Sequence, residues 1–203
     1  MSIMNSIRRH INAIAIDQPF TTREFLTYGK RNTIDQGLCR LVKAGYIHRV
    51  ARGVFVRCDW ERMNKFTPLQ IATVKAESFG KKIVSHGNDL ACTLGLTSSV
   101  HNQPTFATSG SSSSFLFNGR RVYFKKANQR KMQLGETPVG KVIRALWSLG
   151  EELCTDGDIE IAVGSLNRVS TKELRQRASF MPAWLYSYVR INDWLPPIIA
   201  TAS

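Results

Sequence analysis

Three acids at alternate positions, Asp156, Asp158 and Glu160, are the residues whose spacing most directly resembles a catalytic arrangement. On a strand they would share one face, and paired carboxylates of that kind can hold Mg²⁺ for nuclease chemistry. On a helix they would instead form an acidic first turn, which the helix dipole favours. Apolar residues continue at helical spacing through this segment: Ile159, Val163 and Leu166. The pattern favours the helix, and we therefore expect no metal site.

Other patterns typical of enzymes are missing from the sequence. The segment "SGSSSS" lacks the Gly-Lys-Ser/Thr ending of a phosphate-binding P-loop. The four cysteines include no Cys-x-x-Cys pair and the four histidines no His-Glu-x-x-His pattern, and no Ser-His-Asp set is singled out by spacing. We expect no catalytic residues and no cofactor.

The cysteine usage and hydropathy bear on where the protein acts. Scattered cysteines are typical of reduced thiols in a cytoplasm. No apolar run approaches the roughly 18 residues that a membrane span needs. The sequence therefore predicts a cytoplasmic protein that does not associate with membranes.

The charge balance indicates a polyanionic partner. Lys and Arg number 28 against 15 Asp and Glu, a formal net charge of +13. Residues 1–58 hold ten of the cations and three of the acids, so more than half of the excess lies in under a third of the chain. Such a concentration most often serves nucleic acid.

A second basic stretch follows later, with no acid between Gly110 and Gly135. Aromatic residues are interleaved with its cations: Arg120, Arg121, Lys125, Lys126, Arg130 and Lys131. These side chains either form a solvated strand face that protects a sheet edge, or a second contact surface for nucleic acid or an acidic protein. The sequence leaves both interpretations open.

The elements that must position the first basic cluster can be predicted in order. An amphipathic helix over residues 2–16 is followed by a short helix with a capping box at Thr21 and Glu24. A third helix is predicted with Thr33 as its N-cap and Gln36 as its capping-box partner, and Gly45 ends it. A hairpin around residues 51–53 completes the order that is typical of a winged helix-turn-helix.

The third helix would present two different faces. Apolar residues lie on the face that packs inward: Ile34, Leu38, Leu41 and Val42. The other face is left for a DNA major groove, which admits one helix: Thr33, Gln36, Gly37, Arg40 and Lys43. A glycine inside a helix costs about 1 kcal/mol, so Gly37 predicts a close backbone approach. Cations that flank this helix are expected to meet phosphates: Lys30, Arg31, Arg49 and Arg52.

Residues 59–203 are predicted to form a second, mixed α/β domain. Helices are expected from Pro68, from a cap at Asn88 or Asp89, from Thr137 and from Ser170. Asn118-Gly119 between two alternating runs predicts a hairpin. The fold class is therefore α+β, with an N-terminal winged helix-turn-helix over residues 1–58 followed by the mixed α/β domain.

Most of the chain resembles the AbiEi family of bacterial antitoxins. The resemblance lies in "TTREFLTYGKRNTIDQGLCRLVKAGYIHRVARGVFV", in "IVSHGNDLACTLGL" and in the basic stretch after "PTFATSG". It implies an N-terminal DNA-binding domain that represses its own operon and a C-terminal domain needed to counteract a nucleotidyltransferase-like toxin. It also implies DNA-reading roles for Thr33, Gln36, Arg40 and Lys43, with backbone contacts from Lys30, Arg31 and Arg52. No toxin-contacting residue is implied.

We therefore expect a cytoplasmic, non-enzymatic transcriptional repressor that binds double-stranded DNA at its own promoter and acts as the antitoxin of a toxin–antitoxin pair. Two alternatives stay open at this stage. The first is a metal-dependent nuclease that a winged helix targets to DNA. The second is an interaction module whose basic face binds an acidic partner instead of DNA.

Overall fold

The chain folds as an α+β protein with two small sheets, which confirms the predicted class in its coarse form. The computed structural model describes residues 2–57, 65–99, 102–166, 173–174 and 176–191. The chain divides into two compact units, the first comprising Met1–Ile83 and Ser112–Tyr123, and the second Val84–Ser111 and Phe124–Ser203. The boundary predicted at residue 58 lies outside the described residues, so that domain division stays a prediction.

The first unit begins with helices and a three-stranded antiparallel sheet of order β1-β3-β2. Its elements up to Glu77 are α1 (Ile3–Ala13), β1 (Phe20–Thr21), a 3₁₀ helix (Thr22–Phe25), α2 (Arg31–Lys43), β2 (His48–Ala51), β3 (Val54–Val56) and α3 (Pro68–Glu77). The capping box predicted at Thr21 and Glu24 is present, as is the helix that begins at Pro68. Gly53, in the turn between β2 and β3, has φ +77°, a conformation that glycine adopts without a steric cost.

The core of the first unit joins α1, α2 and the sheet. The apolar stripe predicted for the third helix is buried in α2, except that Val42 is only partly buried. The stripe packs with α1 and sheet residues that are also buried: Ile7, Ile11, Phe20, Phe25, Ile47 and Phe55. The buried stripe fixes which side of α2 faces outward.

The remaining elements include a second sheet of order β4-β5-β7-β6. They are β4 (Ile83–Ser85), α4 (Gly87–Thr93), β5 (Thr105–Thr108), β6 (Ser113–Phe117), β7 (Arg120–Lys126), α5 (Gln129–Gln133), α6 (Pro138–Leu149), α7 (Asp156–Gly164), a 3₁₀ helix (Ala178–Phe180) and α8 (Ala183–Ile191). Asn118 and Gly119 have φ of 48° and 73°, so the predicted hairpin turn is confirmed. In the described ranges, no helix combines the length and apolar character needed to cross a membrane.

The core of the second unit is built around α6. Thr137 caps this helix as predicted, because its Oγ1 accepts a hydrogen bond from the Gly140 N–H at 3.1 Å. Buried residues from α6, α7 and α8 form one cluster with their neighbours: Leu134, Val139, Val142, Ile143, Leu146, Ile159, Ala162, Leu174, Met181, Leu185 and Val189. This cluster holds α6 rigidly in place.

Two predicted helix caps are wrong. Helix α2 begins at Arg31 with Lys30 as its N-cap, so Thr33 lies inside the first turn and is not a cap. The earlier start brings Arg31 and Asp35 one turn apart, where their side chains pair at 2.9 Å. Likewise, the N-cap of α4 is His86 and not Asn88 or Asp89. The helix predicted to begin at Ser170 lies outside the described residues at that end.

Candidate nucleic-acid interface

Four polar side chains share the exposed face of α2. Thr33, Gln36, Arg40 and Lys43 are all exposed, and they follow one another at intervals of three or four residues. Residues at those intervals lie on one side of a helix. The structure therefore brings together the polar residues that sequence analysis assigned to one face, opposite the buried stripe.

Gly37 does not belong to that face, contrary to the sequence-based expectation. It is buried, and a Cβ atom at this position would lie 3.0 Å from the Met4 Sδ and 3.1 Å from the Ile7 Cδ1. Both neighbours are on α1. The close backbone approach that the glycine predicted does occur, but the approaching surface is α1 and not a ligand.

The start of α2 carries two exposed cations, Lys30 and Arg31. The Arg31–Asp35 pair is about half exposed on both sides, and a pair of that kind contributes little to stability. Lys30, as N-cap, provides no side-chain hydrogen bond to the first turn. The backbone N–H groups of the first turn of a helix have no hydrogen-bond acceptor within the helix, and a phosphate oxygen can serve as one.

The hairpin contributes two further exposed cations, Arg49 on β2 and Arg52 in the turn. The Arg52 carbonyl accepts a hydrogen bond from the Lys75 Nζ at 2.7 Å, so α3 anchors the turn from behind. Burial lowers the pKa of Lys75 from its ordinary value, and repulsion from Arg52 and Arg49 lowers it further. The three cations therefore lie close enough to repel one another, which an approaching anion would relieve.

Sequence analysis missed Lys75, because the residue lies more than twenty positions after the turn that it anchors. Its position in α3 resembles that of any partly exposed lysine on a helix.

Arg57 shows the opposite case, because it is a cation of the basic cluster that has a structural role. Its Nη1 donates to the Asn12 Oδ1 at 2.8 Å and its Nη2 to the Ile14 carbonyl at 3.0 Å, which ties the end of the hairpin to α1.

The second set of cations is divided between the two units. Arg120 and Arg121 belong to the first unit, whereas the other four belong to the second: Lys125, Lys126, Arg130 and Lys131. Arg130 donates hydrogen bonds to the carbonyls of Ser179 and Met181, so part of its role is structural. All of the set are exposed except Lys131, which is partly buried.

The three acids that suggested a metal site lie on α7, which confirms the helical interpretation. The Asp158 Oδ2 accepts hydrogen bonds from the Thr155 N–H at 2.8 Å and from the Thr155 Oγ1 at 2.7 Å, as the partner in a capping box. Within the described residues, no group of three or more His, Cys, Asp or Glu side chains is arranged to hold a metal ion.

Burial, together with Asp158 and Asp156, raises the pKa of the nearby Cys154 thiol to about 11, which keeps that thiol protonated at neutral pH.

Comparison with known proteins identifies a family but no characterised relative. The model of DUF6088, a family of unknown function, matches residues 6–174, and the chain therefore belongs to that family. No curated protein and no solved structure matches the chain.

Proposed function

We propose that this member of the DUF6088 family is a non-enzymatic DNA-binding protein, a transcriptional repressor that acts in the cytoplasm as the antitoxin of a toxin–antitoxin pair. The observation that carries the proposal is the two-sided character of α2. One side carries the apolar stripe, buried except for the partly buried Val42, and the other presents Gln36, Arg40 and Lys43 to solvent. In this proposal the first unit is a winged helix-turn-helix, α2 is the helix that reads DNA, and the β2–β3 hairpin is the wing.

Direct readout of bases would come from the exposed face of α2. The major groove admits an α-helix, and Arg and Gln are the side chains that make bidentate contacts with guanine and adenine edges. Gln36 and Arg40 lie four residues apart and so one above the other on the helix. A helix with both residues exposed and adjacent can read neighbouring base pairs.

Affinity would come from contacts with phosphates on both sides of that helix. Lys30 and Arg31 lie at its N-terminus, where the dipole and the first-turn N–H groups add to their attraction for anions. Arg49 and Arg52 lie on the hairpin, which Lys75 anchors. Phosphate contacts of this kind position a protein on the duplex, while the base contacts supply specificity.

The antitoxin role is supported by the resemblance to the AbiEi family, which concerns both halves of the chain. Repression of its own promoter would follow from DNA binding by the first unit. The partner would be a nucleotidyltransferase-like toxin, and the second basic set offers a surface for it or for additional DNA. No residue is assigned to contact with the toxin.

A binding assay with two DNA duplexes tests the proposal. The full chain should bind its own upstream region more tightly than a scrambled duplex of equal composition, in fluorescence anisotropy at several salt concentrations. Because each good bidentate contact gives about 1–3 kcal/mol of discrimination, Gln36→Ala with Arg40→Ala should lower the preference at least about tenfold. Lys81→Ala, an exposed cation after α3, is the matched control and should change nothing.

Equal binding of both duplexes by the wild-type chain would refute sequence-specific binding. If the wild-type chain prefers its upstream region and the double variant keeps that preference, α2 is not the reading helix. Circular dichroism melting of each variant establishes that any loss does not come from unfolding.

A further inference from the structure

The second unit contains a cleft whose charged lining is entirely basic. Its volume is about 440 Å³, within the range of small-molecule sites. Four cations line it, and among the described residues no Asp or Glu does: Lys125 and Lys126 from β7, Lys131 from α5 and Arg144 from α6. A concave surface with one sign of charge concentrates the opposite charge.

Arg144 is a buried cation in the wall of this cleft, held in a fixed position. Its side chain is only 2% exposed, and two of its nitrogens are already used, Nη1 by the Gly135 carbonyl and Nη2 by the Glu136 Oε1 at 2.8 Å. The third nitrogen, Nε, is buried and has no hydrogen-bond partner among the described residues. The Nε atom is itself closed to solvent, so Arg144 contributes a fixed guanidinium to the wall of the cleft and not a free donor that faces a ligand.

Glu136 balances the charge of Arg144 through their ion pair, but it does not line the cleft, so the excess positive charge of the lining comes from its three lysines. Besides Arg144, the Glu136 carboxylate accepts from the Ser85 N–H at 2.7 Å and from the Ser85 Oγ at 2.9 Å, and the Lys141 Nζ lies 3.6 Å away. The carboxylate thus fixes the guanidinium in position while the positive lining remains.

Lys131 supplies a second partly dehydrated cation. Its Nζ lies 4.6 Å from the centre of the Trp147 ring, a cation–π distance, and Trp147 also lines the cleft. Burial removes part of the hydration of its ammonium group and so lowers the pKa of Lys131 from its ordinary value. An anion in the cleft would compensate that loss.

We propose that this cleft binds a phosphorylated small molecule, of about the size of a nucleoside diphosphate. Phosphate groups match a fixed guanidinium and several lysines, because charge-assisted hydrogen bonds to phosphate oxygens are the strong ones. A concave cleft of this size suits a small ligand better than a duplex, which contacts extended surfaces. The inference concerns only the second unit and does not depend on DNA binding by the first.

Isothermal titration calorimetry of the full chain with inorganic pyrophosphate, ADP and adenosine tests this site. Pyrophosphate and ADP should bind saturably with one site per chain, and adenosine should not bind. Tighter binding of ADP than of pyrophosphate would identify a nucleotide as the ligand class, and equal binding would identify the diphosphate group alone.

The Lys125→Met/Lys131→Met variant removes two lining cations. Its affinity for pyrophosphate should fall about a hundredfold, since each lost charge-assisted hydrogen bond weakens binding by roughly tenfold or more. Arg8→Met/Lys81→Met removes the same charge from exposed positions outside the cleft and should bind as the wild type does. Near-ultraviolet circular dichroism compares the folds of the variants.

Three results would overturn the inference. The first is the absence of saturable binding of pyrophosphate and ADP. The second is an equal loss of affinity in the cleft variant and its control, which would indicate a general effect of net charge. The third is a cleft variant that loses affinity for scrambled duplex DNA but not for pyrophosphate, which would make the cleft a contact with the DNA backbone.

Discussion

Arg52 takes part in two different interactions, one through its backbone and one through its side chain. Its carbonyl accepts the hydrogen bond from Lys75, while its guanidinium extends to solvent from the hairpin turn. Substitution of the side chain leaves the backbone interaction in place. The contribution of the charge can therefore be measured without disturbing the anchored turn.

We predict that Arg52→Ala weakens the binding of upstream and scrambled DNA by the same factor. A contact with phosphate carries no sequence information, and its loss should reduce the slope of log K against log salt concentration by about one. Anisotropy titrations between low and physiological salt measure both quantities, with Lys81→Ala as the control. A loss confined to the upstream sequence, with an unchanged slope, would contradict the assignment of Arg52 to phosphate.

Individual residues also show the limits of prediction from sequence. The buried stripe of α2 is predictable because apolar residues recur at the helical period. The inward position of Gly37 follows from the same period, because Gly37 lies three residues after Ile34 and four before Leu41, so its assignment to the outer face was wrong. The residues that contact it, Met4 and Ile7, are not predictable, because they come from a helix some thirty positions earlier. Lys75 was missed for the same reason. Contacts between distant parts of the chain leave no local pattern.

At the scale of elements, the start of α7 shows that the acids Asp156, Asp158 and Glu160 lie on a helix and not on a strand. Asp158 accepts two hydrogen bonds from Thr155 at the start of α7, and the helix buries Ile159 and Ala162. The sequence predicted this helix because its apolar spacing continued beyond the acids. It did not predict the start of α2, which begins at Arg31, two residues before the predicted cap Thr33.

We predict that Asp158→Ala lowers the free energy of unfolding by about 1 kcal/mol, the typical effect of losing a capping interaction. Urea denaturation followed by circular dichroism measures the change. Glu160→Ala, an exposed acid on the same helix, should shift stability by no more than about 0.5 kcal/mol. Neither substitution should alter DNA binding.

The same pair of variants tests the nuclease alternative. Purified protein incubated with DNA and Mg²⁺ or Mn²⁺ should leave the DNA intact. Metal-dependent cleavage that is lost in Asp158→Ala would replace the proposed function with an enzymatic one.

At the scale of the whole molecule, the cations behind the excess of positive charge fall into groups with different surroundings. Some cations are structural, as Arg57 and Arg130 are, some lie on the candidate DNA-binding face, and some line the cleft of the second unit. The net charge of +13 is therefore the sum of several groups of cations in different surroundings. Composition alone predicted an anionic partner but not this division, which depends on folding.

We predict that charge reversal on β7 impairs a function while the fold persists. The variant replaces four exposed cations with glutamate: Arg120, Arg121, Lys125 and Lys126. The reversed charges repel anions, so at least one of two properties should fall at least about tenfold. The first is neutralisation of a co-expressed toxin, measured by growth, and the second is DNA affinity at low salt. Full retention of both properties would leave Arg120 and Arg121 as a solvated strand face. Because β7 lies between β5 and β6 in its sheet, the predicted protection of a sheet edge does not apply to this strand.

The first unit is discontinuous in the chain, which has a consequence for its synthesis on the ribosome. Ser112–Tyr123 belongs to that unit, yet Val84–Ser111 of the second unit is translated before it. At about 5–20 residues per second, roughly 2–8 s separate the emergence of Ile83 from that of Tyr123. During this interval the nascent chain holds an unfinished first unit, and no single cleavage of the polypeptide would release both units whole.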